Sequence, residues 1–194
     1  MIRLSQIISS YNVDDLLDLI ERIEIEDSFL PSIGPIKAGF LYIITAIVRP
    51  NKILELGTLH GYSSLVMLKA CIDLGIKTRL ITIERNKRRA EKALKNFEKA
   101  KVSNMVSMIV DDAISYLKSM KEKDFDFIFI DIDKRQYPEA FSLCIPLLKR
   151  HGVMIFDNAL MPRVKNFVKT VLKDERVLAS LIRIEDGMLL CLKR

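Results

Sequence analysis

The sequence predicts a doubly wound α/β fold, with a sheet of about seven strands, N-terminal helices and an antiparallel C-terminal hairpin. Three observations lead to this prediction. Short apolar runs alternate with helical patterns from residue 51 onward, as in a parallel sheet covered by helices on both faces. Two more apolar runs end the chain, and the residues "EDG" between them favour a tight turn. Residues 1–50 show helical periodicity alone.

The amino-terminal residues are predicted to form a helical cap on the core. Four apolar residues recur at helical spacing in the first helix: Val13, Leu16, Leu17 and Ile20. Asn12 precedes them as a candidate N-cap, and "SIGPIKAGFLYIITAIV" predicts a turn followed by an apolar helix. The 194 residues suit a single domain, with the cap at 1–50 and the core at 51–194.

The core elements then alternate along the chain. The predicted strands are "KILEL", "RLITIE", "MVSMIV", "FDFIFID" and "VMIFD", and the helices between them are "YSSLVMLKACIDL", "KRRAEKALKNFEKA", "AISYLKSM" and "PEAFSLCIPLLK". A last helix, "VKNFVKTVLKD", leads to the hairpin strands "VLASLIRI" and "GMLLCLKR". This scheme puts His151 in the turn before the fifth strand. It also turns four residues of the basic helix towards the core: Ala90, Ala93, Leu94 and Phe97.

Composition argues against several classes of protein. The three cysteines, Cys71, Cys144 and Cys191, are far apart, which disfavours a disulfide framework or a zinc site and favours a reducing cytoplasm. The longest apolar run, "GFLYIITAIV", is too short to cross a bilayer. Acidic residues in the first helix argue against a signal peptide. We therefore expect a cytoplasmic protein that does not associate with a membrane.

The net charge of +6 is unevenly distributed. Residues 1–30 carry two basic and seven acidic side chains, whereas residues 85–101 carry eight basic and two acidic ones. Aromatic residues are not interleaved with these basic charges, so a solvated helix face is the favoured interpretation. A patch that binds RNA or phosphate is the alternative.

Polar residues, together with two glycines, lie at the carboxyl ends of all five predicted parallel strands. In chain order they are Glu55, Gly57, Gly61, Ser63 and Ser64, then Glu84, then Asp111 and Asp112, then Asp131, Asp133 and Lys134, and finally Asp157 and Asn158. Ligands of open α/β sheets bind at the carboxyl ends of the strands. Acids at every one of these ends therefore predict a shared polar cleft.

The loop after the first strand predicts a nucleoside ligand. Gly57 permits a tight exit from the strand, and Gly61 permits close approach of the backbone to a ligand. The helix start at Tyr62 and Ser63 offers N–H groups to an anionic group. Glu84 follows at the distance at which a carboxylate binds ribose hydroxyls. The dinucleotide pattern G-x-G-x-x-G fails in this loop, and a glycine turn that only packs helix on strand stays the alternative.

Four segments in order resemble one known family: "ILELGTLHGYSS", "ITIE", "FDFIFIDIDKRQY" and "VMIFDNAL". They are similar to the matching parts of S-adenosylmethionine-dependent, divalent-cation-dependent O-methyltransferases, which include catechol and caffeoyl-CoA O-methyltransferases and small bacterial relatives. The resemblance runs from about residue 34 to the end, where "EDGMLLCLKR" resembles the final strand of the family. It implies the Rossmann-like sheet of class I methyltransferases.

The resemblance also implies a role for each matching residue. The methionine part of S-adenosylmethionine would be surrounded by Glu55, Gly57, Gly61 and Ser63. Glu84 would bind the ribose, Asp112 and Ala113 would lie beside the adenine, and Asp131 would border the cofactor. The metal, Mg²⁺ or another divalent cation, would be held by Asp131, Asp157 and Asn158. Lys134 would be the catalytic base, the acceptor a hydroxylated small molecule, and the assembly a homodimer.

Elementary chemistry agrees with these roles and leaves alternatives open. Carboxylate and amide oxygens suit Mg²⁺, and two close carboxylates repel unless a cation lies between them. The acids could instead cap helices or pair with Lys134 and Arg135. Lys134 itself could form a plain salt bridge to Asp131 or Asp133. Asp133 could support the site from behind or cap a helix.

The acceptor stays open at this point. The segment "ALMPRVKNF" is shorter than the substrate-enclosing insertion of the family, which suggests an open site. A small-molecule catechol-like acceptor is the first hypothesis. A methyltransferase that acts on hydroxyuridine in tRNA is the second, and the basic segment favours it slightly. A non-catalytic protein that binds a nucleoside is the third.

Overall fold

The computed structural model describes residues 3–8, 15–26 and 32–194. Seven strands form one mixed sheet: β1 (Lys52–Leu56), β2 (Arg79–Ile83), β3 (Val106–Ile109), β4 (Phe125–Ile130), β5 (Leu148–Asp157), β6 (Val177–Ile182) and β7 (Met188–Lys193). Their order is β3-β2-β1-β4-β5-β7-β6. Strands β1–β5 are parallel, whereas β7 runs antiparallel to both β5 and β6. The predicted doubly wound sheet with a closing hairpin is confirmed.

Helices cover both faces of the sheet. They are α1 (Asp15–Glu26), α2 (Gly34–Val48), α3 (Tyr62–Asp73), α4 (Lys87–Lys99), α5 (Ala113–Ser119), α6 (Tyr137–Cys144) and α7 (Lys165–Val171). Alternate residues of β4 point to opposite faces, so Phe127 packs with helices α1–α4 while Ile128 packs with helices α5–α7. Because both faces are buried, the central strands are almost continuously apolar. Within the described residues, no helix has the length and apolar character needed to span a membrane.

Successive strands are added in one direction from β1 to β3 and in the other direction from β4 onward, and this switch point between β1 and β4 positions the site. Leu56 pairs with Ile130, so both strands end at the same level. The Asp131 N–H then donates to the Leu56 carbonyl oxygen at 2.8 Å. The loops that follow therefore begin side by side, with Gly57 next to Asp131.

Two local predictions were wrong, and one lies outside the described residues. Leu94 is 46% exposed, because the narrower stripe of Ala90, Ala93 and Phe97 is enough to bury α4. His151 lies within β5 rather than in a turn before it, because the strand begins at Leu148. Phe125 pairs with Leu148 but Phe127 pairs with Val153, so β5 bulges between these pairs. The proposed cap Asn12 falls outside the described part of the chain.

Candidate active site

Two adjoining cavities lie at the carboxyl ends of the central strands. The larger has a volume of about 390 Å³ and the smaller about 150 Å³. Seven of the predicted site residues line the larger cavity: Gly57, Ser63, Glu84, Asp131, Lys134, Asp157 and Asn158. Asp112 and Ala113 line the smaller one, and Gly57, Glu84 and Asp131 border both. Glu55 and Gly61 line neither.

The two loop glycines serve different purposes. Gly57 has a φ of +94°, and a side chain there would collide with the Asp131 carbonyl oxygen. Gly57 therefore allows the ends of β1 and β4 to approach each other. Gly61 has a φ of +89°, and a Cβ atom would lie 2.7 Å from Phe97 of α4. Gly61 thus allows α4 to pack against the loop, and its closeness to the ligand stays a prediction.

Glu55 lies behind the cavity wall and supports it. The carboxylate is fully buried and accepts hydrogen bonds from Ser63 Oγ and Thr82 Oγ1, both at 2.6 Å, and from Ser64 Oγ. Burial raises the pKa of Glu55 from 4.5 to about 7, although the three hydroxyl donors oppose this shift. These bonds tie the start of α3 to strands β1 and β2, and the contact of Glu55 with the methionine part stays a prediction.

Glu84 lies at the junction of the cavities. Its Oε2 accepts the Leu59 N–H and its Oε1 accepts the Asn86 N–H, each at 2.9 Å. These bonds hold the carboxylate in place, and each oxygen keeps a second lone pair. A diol that reaches the junction could therefore donate to both oxygens.

The smaller cavity contains one polar residue that sequence analysis missed. Asp112 caps α5 by accepting the Ser115 N–H, and this bond lowers the pKa of the carboxyl group. Its second oxygen accepts from Gln136 Nε2 at 3.2 Å. Gln136 comes from the segment after β4, and nothing in its local sequence distinguishes it from a surface glutamine.

Lys134 and Asp131 form an ion pair at the end of β4. Lys134 Nζ lies 2.5 Å from Asp131 Oδ1 and 5.1 Å from the centre of the Tyr137 ring. Asp133 turns outward to Arg135, whose side chain and N–H hold the pKa of Asp133 well below its usual range. Asp133 thus caps a short 3-10 helix, which was one of the two roles considered for it.

A second lysine, which sequence analysis missed, lies at the end of β5. Lys37 Nζ donates to both oxygens of Asp157, at 2.7 and 2.9 Å, and to Asp186 Oδ1 at 2.6 Å. Asn158 donates its side-chain N–H to the other oxygen of Asp186. Asp186 itself lies in the turn between β6 and β7. Four side chains from α2, the end of β5 and the hairpin turn therefore form one network.

The sequence contains a signal for Lys37. It is the single charged residue in α2, "GPIKAGFLYIITAIV". It also lies near the amino terminus of this helix, where the helix dipole disfavours a positive charge. A lone lysine in that position indicates a carboxylate partner, but sequence alone does not say which one. Asp186 carries no comparable signal, since "EDG" is an ordinary turn sequence.

Burial and charge act together on this network. Burial raises the pKa of Asp157 to about 6, and the charge of Asp131 adds to the shift. Burial would lower the pKa of Lys37, but Asp157 and Asp186 outweigh it and the pKa is raised. Lys37 therefore stays positively charged at neutral pH. Tyr137 donates to the Asp157 carbonyl oxygen at 2.9 Å, which fixes the end of β5 beside β4.

The oxygen atoms at the ends of β4 and β5 fit a divalent cation, provided that Asn158 is one of its ligands. Asp131, Asp157 and Asn158 offer oxygen ligands to one cavity, as Mg²⁺ requires. Among residues 3–8, 15–26 and 32–194, no three His, Cys, Asp or Glu side chains lie close enough together to hold a metal ion. A cation would therefore depend on Asn158 as well as the two acids, and it would have to share Asp157 with Lys37.

A family model matches nearly the whole chain. The model is described as O-methyltransferase and covers residues 6–194. The catechol O-methyltransferase of Niastella koreensis is 35% identical over 132 residues, which make up 66% of this chain and 58% of that relative. The chain spans little more than half the length of the first curated relatives that it matches.

Solved structures share the fold. The O-methyltransferase from Bacillus cereus, solved in complex with S-adenosylhomocysteine, has a TM-score of 0.82 at 26% identity and covers 96% of this chain and 94% of its own. The O-methyltransferase TomG from Streptomyces achromogenes, solved with S-adenosylmethionine, has a TM-score of 0.81 at 26% identity, with coverages of 94% and 91%. The predicted family is confirmed: this chain belongs to the O-methyltransferase family.

Proposed function

We propose that the protein transfers a methyl group from S-adenosylmethionine to a hydroxyl group of a small, catechol-like molecule with two neighbouring hydroxyls. One observation carries this proposal. Lys134, Asp131, Asp157 and Asn158 line a cavity that continues past Gly57 and Glu84 into a second one. A donor could therefore lie across both cavities with its methyl group facing the acidic end. The names of the relatives and the donors bound in the related structures support the same reading.

The proposal places the donor across the two cavities. The adenine lies in the smaller cavity beside Asp112 and Ala113, and the ribose hydroxyls donate to Glu84. The methionine part lies along Gly57 and Ser63, where the start of α3 presents backbone N–H groups to its carboxylate. Glu55 keeps Ser63 in position from behind.

The acceptor is held at the other end of the larger cavity. Asp131, Asp157 and Asn158 would hold Mg²⁺ or another divalent cation, and such a cation would supply a lowered pKa to the hydroxyl of a chelating acceptor. Lys134 Nζ is the group that takes the hydroxyl proton. Cap and core act as one domain in this scheme, since Lys37 of the cap reaches Asp157 of the core.

Two measurements test the proposal. Calorimetric titration with S-adenosylhomocysteine should show binding that Glu84→Gln weakens about tenfold or more, because a ribose loses its charged acceptor. Glu139→Gln is the matched control, since Glu139 is exposed and pairs only with Lys118 among the described contacts.

Methyl transfer should then occur to 3,4-dihydroxybenzoate and not to 4-hydroxybenzoate, and a chelator should abolish it. Equal transfer to both acceptors, or transfer that survives chelation, would refute the chelated acceptor.

One feature favours a second candidate acceptor, the hydroxyuridine of tRNA. Arg89 of the basic helix α4 lines both cavities, so the exposed basic face continues to the site. Binding of tRNA that weakens steeply with salt, together with methylation of the tRNA, would favour this acceptor. Tight donor binding without transfer to either acceptor would favour the non-catalytic alternative.

A further inference from the structure

Lys37 is fully engaged by two carboxylates. Its side chain is 4% exposed, and its three N–H donors face three oxygens: both from Asp157 and one from Asp186. Such a buried ammonium is held by complete pairing of its donors. The three carboxylate oxygens therefore form a site for a positive charge, and Lys37 of α2 supplies that charge.

The same oxygens belong to the predicted ligand set for a divalent cation. Both Asp157 oxygens already accept hydrogen bonds from Lys37. The neighbouring Asn158 donates its amide N–H to Asp186, which also lines the cavity. A divalent cation at Asp157 would lie within a few ångströms of the ammonium, where two like charges repel strongly. The network as it stands is therefore organised around Lys37.

Asp186 offers the ammonium a second position. The Asp186 side chain is 38% exposed, in contrast to 2% for Asp157, and it already lies 2.6 Å from Lys37 Nζ. A small rotation of the lysine stem could therefore keep one ion pair while it leaves Asp157. The four methylene groups of lysine give it this freedom.

We propose that Lys37 is an internal counter-cation that competes with a divalent cation for Asp157, and that metal binding shifts the ammonium onto Asp186. This inference rests on the divalent-cation site of the proposed function. It makes Lys37 a positioning residue that sets the affinity of the metal site. A cation binds only when its interaction with Asp131, Asp157 and Asn158 exceeds that of the resident lysine.

Binding of Mn²⁺ alone, followed by the electron paramagnetic resonance signal of the free ion, tests the competition without any activity assay. Lys37→Gln keeps a hydrogen-bond donor but removes the charge, and it should tighten Mn²⁺ binding by roughly tenfold or more. Lys37→Arg keeps the charge and should bind Mn²⁺ as weakly as wild type or more weakly. Lys149→Gln removes a lysine at the opposite end of β5 and should leave the affinity unchanged.

Equal or weaker Mn²⁺ binding by Lys37→Gln would overturn the competition while leaving the metal site intact. Absence of Mn²⁺ binding in both wild type and Lys37→Gln would instead remove the metal site itself, and the competition with it. Donor binding and methyl transfer are measured separately, so the two failures are distinguishable.

A second measurement is made on the wild-type protein, and a variant is needed only to assign the resonance. The ¹⁵N resonance of a buried lysine ammonium can be identified by its loss in Lys37→Arg. Saturating Mg²⁺ should shift or broaden this resonance as the ammonium leaves Asp157. A resonance that stays unchanged while Mg²⁺ saturates the site would overturn the proposal.

Discussion

Two lysine–aspartate pairs lie side by side at the strand ends, and they differ in almost every physical respect. Lys134 and Asp131 are three residues apart, with side chains 12% and 23% exposed. Lys37 and Asp157 are 120 residues apart, with side chains 4% and 2% exposed. The first pair is local and reaches water, whereas the second is buried and joins the cap to the core.

The difference teaches that similar ion pairs can serve opposite purposes. A partly exposed pair can open at little cost, so its lysine is available for proton transfer. A buried pair leaves a desolvated charge behind when one partner is lost, so it holds the structure together. We therefore propose Lys134 for proton transfer, and Lys37 for stability and for the affinity of the site for a cation.

The largest expected effect concerns turnover at the exposed pair. Lys134→Ala should lower kcat by roughly 10²–10⁴-fold, because the proton acceptor is lost. Binding of S-adenosylhomocysteine, measured by calorimetry, should be unchanged. Lys118→Ala is the control, since Lys118 lies on the surface and pairs with Glu139. Wild-type turnover by Lys134→Ala would show that another group takes the proton.

The next effect concerns stability and separates the two pairs directly. Lys37→Met should lower the free energy of unfolding by about 3–5 kcal/mol, because Asp157 is left buried without its cation. Lys134→Met should lower it by about 1 kcal/mol or less, because water reaches Asp131. Urea denaturation of both variants without added metal measures the difference. Equal losses would mean that burial does not distinguish the pairs.

The smallest expected effect is on the pH dependence of stability and concerns Glu55. This buried carboxyl group accepts hydrogen bonds from hydroxyl groups and, in the described part of the chain, is not paired with a lysine. Its folded pKa of about 7 lies above the ordinary 4.5, so the folded state binds the proton more tightly. The resulting stability is present at low pH and is lost as the pH rises from about 4.5 to about 7. Glu55→Gln lacks this titration, so its advantage over wild type should grow by up to about 3 kcal/mol between pH 4.5 and pH 8. Parallel stability profiles of the two proteins would contradict the raised pKa.

The fold was predictable because each element follows from a local pattern. The run "KILEL" coincides with β1, and "YSSLVMLKACIDL" matches α3 to within one residue. The bulge that carries His151 into β5 was not predictable, because it depends on pairing with Phe125 and Phe127 of β4. Local patterns do not record which residue of a neighbouring strand lies opposite.

The candidate site was likewise only partly predictable from the sequence. The positions of Gly57, Glu84, Asp131, Asp157 and Asn158 at one cleft were expected, because parallel strands bring their carboxyl ends to one edge. The groups that the site residues contact were not expected. Glu55 points behind the wall, Gly61 meets Phe97, and Asp157 meets a lysine from the cap.

The sequence by itself determined the order of the elements, the strand-end acids and the family, since all three follow from residues close together in the chain. The tertiary structure alone decided that Lys37 of α2 and Asp186 of the hairpin turn meet at Asp157. The physical reason is that a buried charge needs a partner in space, and the partner can come from any segment that packing brings within about 3 Å.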